Sequence, residues 1–273
     1  MTSPDEIERS RRWGERPGGR YWWHRLPGMD FVPPIYSDLS DAEWEIIRTW
    51  YAETDQRGAV GECAVPLISL LHGLITGNRI TRIVQLGTCS GYSSLLLGFM
   101  LRRMNAPGGL FTLEIDPDLC AMTTRWLHRA GLTNFVTVAE KNSLDQDSVV
   151  AARDHFGGEA ELILLDSSHE YQATMEELDL WYPFLQAGGL LLLHDVSRFA
   201  ADFDVTRKGG VGRAFAEWRR QHPEAEALCL NGESRSMGLP RPPYKDACGL
   251  GIIHKPGAPP LPNESDVGRA SHV

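Results

Sequence analysis

The sequence predicts a doubly wound α/β fold, a mostly parallel seven-stranded sheet with helices on both faces and an N-terminal helical and aromatic extension. Short apolar segments recur at Ile83–Leu86, Leu110–Ile115, Phe135–Ala139, Leu162–Asp166 and Leu190–His194, with helical patterns or turns between them. Such alternation marks a parallel sheet covered on both faces. The first segment breaks at Gly87 into a loop of small residues, and a helical pattern resumes through Leu95, Leu96, Leu97 and Met100. Two later candidates, Ala227–Asn231 and Gly249–His254, bring the strands to seven.

The remaining elements follow in order. Residues 1–40 are rich in Arg, Gly, Pro and aromatics, among them Tyr21, Trp22, Trp23 and Phe31. Ser40 or Asp41 caps a helix over Asp41–Thr54, with Trp44, Ile47, Trp50 and Tyr51 at helical spacing. A second, nearly all-apolar helix over Cys63–Thr76 ends at Gly77–Asn78. Gly188–Gly189 reads as the turn feeding the fifth strand, and a polar loop, Ser197–Gly210, precedes a helix over Val211–Gln221. The tail over 256–273 has a disordered composition. The chain therefore divides into an N-terminal segment (1–79), a core (80–255) and a tail (256–273).

Composition narrows the function. A formal net charge of −9 and the lack of any basic run longer than a pair such as Arg11–Arg12 or Arg219–Arg220 argue against a nucleic-acid partner. Five scattered cysteines without a CxxC pair suit buried thiols in a reducing compartment. With neither a signal-like apolar core at the N-terminus nor a stretch of membrane-spanning length, a cytoplasmic protein is expected.

Polar residues gather where the strands end. Gly87, Thr88, Ser90 and Gly91 form a loop at a helix N-terminus, and Glu114 closes the second strand 27 residues after Gly87. Such a loop admits a ligand to the backbone, and an acid on the next strand can grip ribose hydroxyls. Ser143 follows the third strand, Asp166 ends the fourth, and His194–Asp195 end the fifth. Successive strand ends face one crevice, so a nucleoside-containing cofactor is expected there. Asp166 and Asp195 would share one rim, within reach of one cation or one substrate hydroxyl. Asp166 could equally cap its own loop, and His194 could be a core histidine bonded to a neighbouring loop. Asp116 reads as a surface residue that starts a turn.

These motifs resemble the class I S-adenosylmethionine-dependent methyltransferases, in particular the catechol-type O-methyltransferases and the cephalosporin-hydroxylase-like and macrolide-sugar methyltransferase group. The resemblance spans about Cys63–His194 and implies a Rossmann-like core. It places Gly91, Tyr92 and Ser93 in the cofactor turn, Glu114 on the ribose, and Asn142–Ser143 near the adenine. It assigns Asp166, His194 and Asp195 to the magnesium position, and His169, three residues after Asp166, to the general base. The chain departs from the pattern at Cys89, where a glycine is usual, and at His194–Asp195, where Asp–Asn or Asp–Asp is usual. Histidine is softer than the oxygen shell magnesium prefers. Either Asp166, His194 and Asp195 hold the metal, or the carboxylates act through hydrogen bonds alone.

The resemblance implies O-methylation of a small, secondary-metabolite hydroxyl, with S-adenosyl-L-methionine as methyl donor and His169 and Asp166 as catalytic residues. The segments ahead of the core suggest a lid, or a contact in a homodimer or higher homo-oligomer. A member that binds the cofactor without methylating is the main alternative. Gly87–Thr–Cys–Ser–Gly91 also matches a nucleophile elbow with Cys89 as nucleophile, but helices rather than strands precede it, and Glu114 would have no role.

Overall fold

The computed structural model describes residues 33–58, 62–231, 243–244 and 246–257. The N-terminal aromatics Tyr21, Trp22, Trp23 and Phe31, and the tail beyond residue 257, lie outside the described residues. A short helix α1 (Pro34–Ser37) is followed by α2 (Asp41–Arg57) and α3 (Val65–Asn78). Then come β1 (Ile83–Leu86), α4 (Tyr92–Arg103), β2 (Leu110–Glu114), α5 (Pro117–Arg129), β3 (Val136–Glu140), α6 (Gln146–Phe156) and β4 (Ala160–Leu165). The chain continues through α7 (Tyr171–Trp181), β5 (Leu185–His194), α8 (Gly210–Gln221), β6 (Glu226–Leu230) and β7 (Leu250–His254).

The sheet has seven strands in the order β3-β2-β1-β4-β5-β7-β6. Strands β1 to β5 run parallel, and β7 lies antiparallel between β5 and β6. The central strands bury both faces. Ile83, Leu110, Leu162 and Leu192 enter the apolar cluster that includes α1 to α5, while Val84, Phe111, Ile163 and Leu191 enter the one beneath α6 to α8. This two-sided burial explains why these strands read as mostly apolar runs, broken in β1 by Gln85 and in β2 by Thr112. β5 differs from expectation. It starts at Leu185 and runs through Gly188–Gly189, pairing back to Ala160 across a register shift, so the glycines form an irregularity in the strand rather than its boundary.

The N-terminal helices are tied to the core by specific contacts. Ser40 and Glu43 form a reciprocal capping box at the start of α2. Glu43 is buried and pairs with Arg102 at 2.7 Å and Arg103 at 3.0 Å on α4. Trp50 Nε1 donates to the carbonyl of Ser90 at 2.7 Å, and the hydroxyls of Tyr36 and Tyr92 are hydrogen-bonded. These contacts brace the loop between β1 and α4 from outside the sheet.

Candidate functional site

The loop after β1 owes its shape to three positive φ angles, at Gly87 (89°), Cys89 (48°) and Gly91 (88°). At Gly87 a side chain is also excluded by packing: its Cβ would lie 2.1 Å from the carbonyl oxygen of Asp166. Much of the loop's own polarity is turned inward. Thr88 Oγ1 bonds Thr112 Oγ1 at 2.6 Å and donates to the Leu113 carbonyl at 3.0 Å. Gln85 Nε2 donates to the Gly87 carbonyl at 2.7 Å and to Ser93 Oγ at 2.8 Å. Thr88, Ser90, Tyr92 and Ser93 are buried, and all four line the smaller of the two cavities described below.

Glu114 faces this loop from the end of β2. Its Oε2 accepts the Cys89 N–H at 2.7 Å, and its Oε1 accepts those of Ile115 and Asp116 at 2.9 and 3.1 Å. Three backbone donors hold the carboxylate rigid and leave about one of its four acceptor sites for a ligand. Asp116 instead caps α5, accepting from the Asp118 and Leu119 backbones at 2.8 and 3.2 Å, in keeping with its reading as a turn residue.

Two adjoining cavities meet at Gly87, Cys89 and Asp166. One, of about 480 Å³, is lined by Glu114, Asn142, Ser143, Leu144 and Glu177 among others. The other, of about 390 Å³, is lined by Asp166, His169, His194, Asp195 and Phe203, and by Cys63 just ahead of α3. Neither lining includes Gly91, which packs against Thr123.

Asn142 and Ser143 lie between β3 and α6. Asn142 Oδ1 accepts the Leu144 N–H at 3.0 Å, while Ser143 Oγ donates to Glu177 Oε1 at 2.5 Å. Ser167 Oγ donates to the same oxygen at 2.5 Å, so Glu177 on α7 ties the loop after β3 to the loop after β4. Burial outweighs these two hydrogen bonds and raises the Glu177 carboxyl to about 7.

The second cavity holds the ionisable cluster. His169 Nε2 lies 3.1 Å from Asp195 Oδ2. The hydrogen bond to Asp195 raises His169 above the ordinary histidine range, and partial burial opposes this without cancelling it. Burial pushes the Asp195 carboxyl up, but bonding to His169 and the charges of His194 and His169 overcome that and lower it. Asp195 holds a left-handed backbone, with φ 65°. His194 is 7% exposed, with Nδ1 3.2 Å from Asp166 Oδ1 and Nε2 3.0 Å from Asp246 Oδ2. Burial alone would lower His194, yet Asp166, Asp246 and Asp195 together hold it well above the usual range. Phe203 stands 5.5 Å from the His169 ring, centroid to centroid, and forms an edge contact with Phe199.

The structure thus brings Asp166, His169, His194 and Asp195 together, with Glu114, Asn142 and Ser143 along the neighbouring cavity. Sequence reasoning missed Gln85, Glu177 and Asp246. Gln85 carried a signal, as a lone polar residue inside an apolar strand. Glu177 is indistinguishable in sequence from its neighbour Glu176, and nothing in the sequence marks Asp246. Cys89 does not suit a nucleophile: burial raises its thiol, the reverse of what nucleophilic cysteines need. Cys229 is exposed, contrary to the expectation of buried thiols.

Residues 84–196, from β1 to just past β5, match the sequence model of the family described as Methyltransferase domain. A catechol O-methyltransferase of Niastella koreensis is 38% identical over 94 residues, which cover 32% of this chain and 41% of that protein. The matched stretch is thus about two fifths of the curated relative's length. Among solved structures, an O-methyltransferase of Bacillus cereus in complex with SAH is 17% identical, with a TM-score of 0.61 over 80% of this chain and 91% of that one. An O-methyltransferase of Streptomyces achromogenes involved in tomaymycin synthesis, in complex with SAM, is 20% identical, with a TM-score of 0.60 over the same shares. The chain is thus similar in fold to these solved structures, and the residues that match the Methyltransferase domain model span all five parallel strands of the sheet. Among the described residues, no helix is long and apolar enough to cross a membrane.

Proposed function

We propose that the chain is an S-adenosylmethionine-dependent O-methyltransferase acting on a small-molecule hydroxyl. The observation that carries this is the junction of the two cavities at Gly87, Cys89 and Asp166. One cavity offers a rigid carboxylate and backbone groups to a nucleoside, and the other offers a histidine–carboxylate pair to an acceptor. The 480 Å³ of the first is within the range of small-molecule sites.

When bound, S-adenosyl-L-methionine supplies an electrophilic methyl group on a sulfonium. Glu114 fits a ribose hydroxyl through its remaining acceptor site, and Asn142, Ser143 and Leu144 border the nucleobase end. Gly87, Cys89 and Asp166, shared by both cavities, border the place where donor and acceptor meet. Holding the two in line supplies several kcal/mol through orientation. His169 takes the acceptor's proton: with Nε2–H directed at Asp195, its Nδ1 is left as the basic nitrogen. The acceptor oxygen so activated would be the nucleophile toward the methyl group that the bound sulfonium would supply. Phe199 and Phe203 give the acceptor an apolar wall.

A divalent ion on Asp166, His194 and Asp195 does not fit these residues. Both ring nitrogens of His194 already face carboxylates, so neither has a lone pair to offer. Donor atoms of Asp166, His169 and Asp195 do lie within 4.8 Å of one another. There Asp166 Oδ1 is paired with His194 and Asp195 Oδ2 with the third member, His169, so the group already carries its own histidine–carboxylate pairs. No step is routed through a metal.

A homodimer or higher oligomer and a cytoplasmic location complete this reading. They rest on the aromatic N-terminal segment and on the cysteine usage, and light scattering of the purified chain tests the first. The central test is calorimetry with S-adenosylhomocysteine, followed by a methyl-transfer assay over a panel of small hydroxylated acceptors. Tight NAD binding with none of the sulfonium or its product would sink the reading.

A further inference from the structure

Three carboxylates at the C-terminal edge of the sheet converge on an imidazole. His194 Nδ1 lies 3.2 Å from Asp166 Oδ1 and 3.6 Å from Asp195 Oδ1, and Nε2 lies 3.0 Å from Asp246 Oδ2. A carboxylate only accepts hydrogen bonds, so a ring with a carboxylate on each nitrogen carries a hydrogen on each and is an imidazolium. Asp246 is itself fixed, accepting the Cys248 N–H at 3.0 Å and the Tyr244 hydroxyl at 3.3 Å. His194 and Asp246 are 7% and 2% exposed, so water does little to screen the cluster, and buried carboxylates that stay ionised are paired with a cation.

We propose that His194 is the built-in cation of this site, a positioning residue that holds Asp166 and Asp195 at the position the sequence resemblance assigns to magnesium. The inference rests on the methyl-transfer reading. A histidinium bonded on both nitrogens cannot coordinate the acceptor oxygen as a metal would. It keeps the two carboxylates ionised and oriented, and leaves removal of the acceptor's proton to His169, which Asp195 aligns. Cys248 also lies within reach of His194 and Asp195.

The test uses the full chain after exhaustive chelation at neutral pH. Nitrogen-15 NMR of the histidine side chains should show both His194 ring nitrogens protonated. Manganese titration followed by electron paramagnetic resonance should show no bound ion, and manganese should leave the His194 signals unbroadened. Methyl transfer should be unchanged by the chelator. His194→Asp removes the cation and supplies a third carboxylate, so that variant should acquire stoichiometric manganese binding. A neutral His194 in the parent, manganese that broadens its signals, or a folded His194→Asp that binds none would each overturn the inference. If the variant does not fold, the parent's two spectroscopic readouts decide. A chain that binds neither the sulfonium nor its product would instead defeat the functional reading, and His194's protonation would still be measurable.

Discussion

Gly87 lies directly against the backbone of Asp166, so closely that a β-carbon there would stand 2.1 Å from the Asp166 carbonyl oxygen. The loop after β1 and the acid that ends β4 are thereby one rigid unit, and both cavities share it. Gly87→Ala should cost about 3 kcal/mol or more, combining overpacking against main chain with a disfavoured positive φ. Urea denaturation measures the loss. A variant within about 0.5 kcal/mol of the parent, the scatter of neutral surface changes, would show that the two segments can move apart.

Glu114→Ala should weaken S-adenosylhomocysteine binding by about 1.5–3 kcal/mol, the worth of a hydrogen bond to a charged group. It also frees the Cys89 N–H, which Glu114 accepts at 2.7 Å, so part of the loss would come from loosening the loop. Calorimetry on parent and variant reads the difference, and equal affinities would remove Glu114 from the cofactor site.

His169→Ala should leave cofactor affinity intact and lower turnover by about 10²–10⁴, the usual contribution of a positioned base. Since the bond to Asp195 raises His169, the acid limb of the parent's pH–rate profile should lie above histidine's ordinary value of about 6.5. Activity is lost below that limb because the base is then protonated. A loss under about tenfold would leave His169 an orienting group only.

Glu177 makes stability depend on pH in an unusual direction for a carboxylate. Its folded pKa is raised from 4.5 to about 7, so the native state holds its proton where the unfolded chain has released it. That stabilisation is fully present below the unfolded value and is lost as pH rises through the folded one, amounting to about 3 kcal/mol between the two. Glu177→Gln should flatten this part of the pH–stability curve and exceed the parent at pH values above about 7. Denaturation midpoints across pH check it, and identical curves for the two proteins would refute the assignment.

The sequence by itself determined the seven strands, the helices between them, the loop at Gly87 and the acids waiting at the strand ends. These features are local: apolar runs, helical spacing and turn residues act over a few neighbouring positions, so periodicity and composition reveal them. Burial on both faces also made the strands stand out as mostly apolar runs. The course of β5 through Gly188–Gly189 was not legible, because a glycine pair has the same local chemistry in a turn as in a strand irregularity. Only the tertiary structure decided which hydrogen-bonding groups are already spent. Asp246 reaches His194 across 52 residues of chain because β7 pairs antiparallel with β5, with Leu250 opposite His194. That pairing sets carboxylates against both nitrogens of a residue that the sequence resemblance offered as a metal ligand, the geometry on which its proposed role as a cation rests. A side chain's chemical role depends on what faces it, and what faces it is set by strand order rather than by its neighbours in the chain.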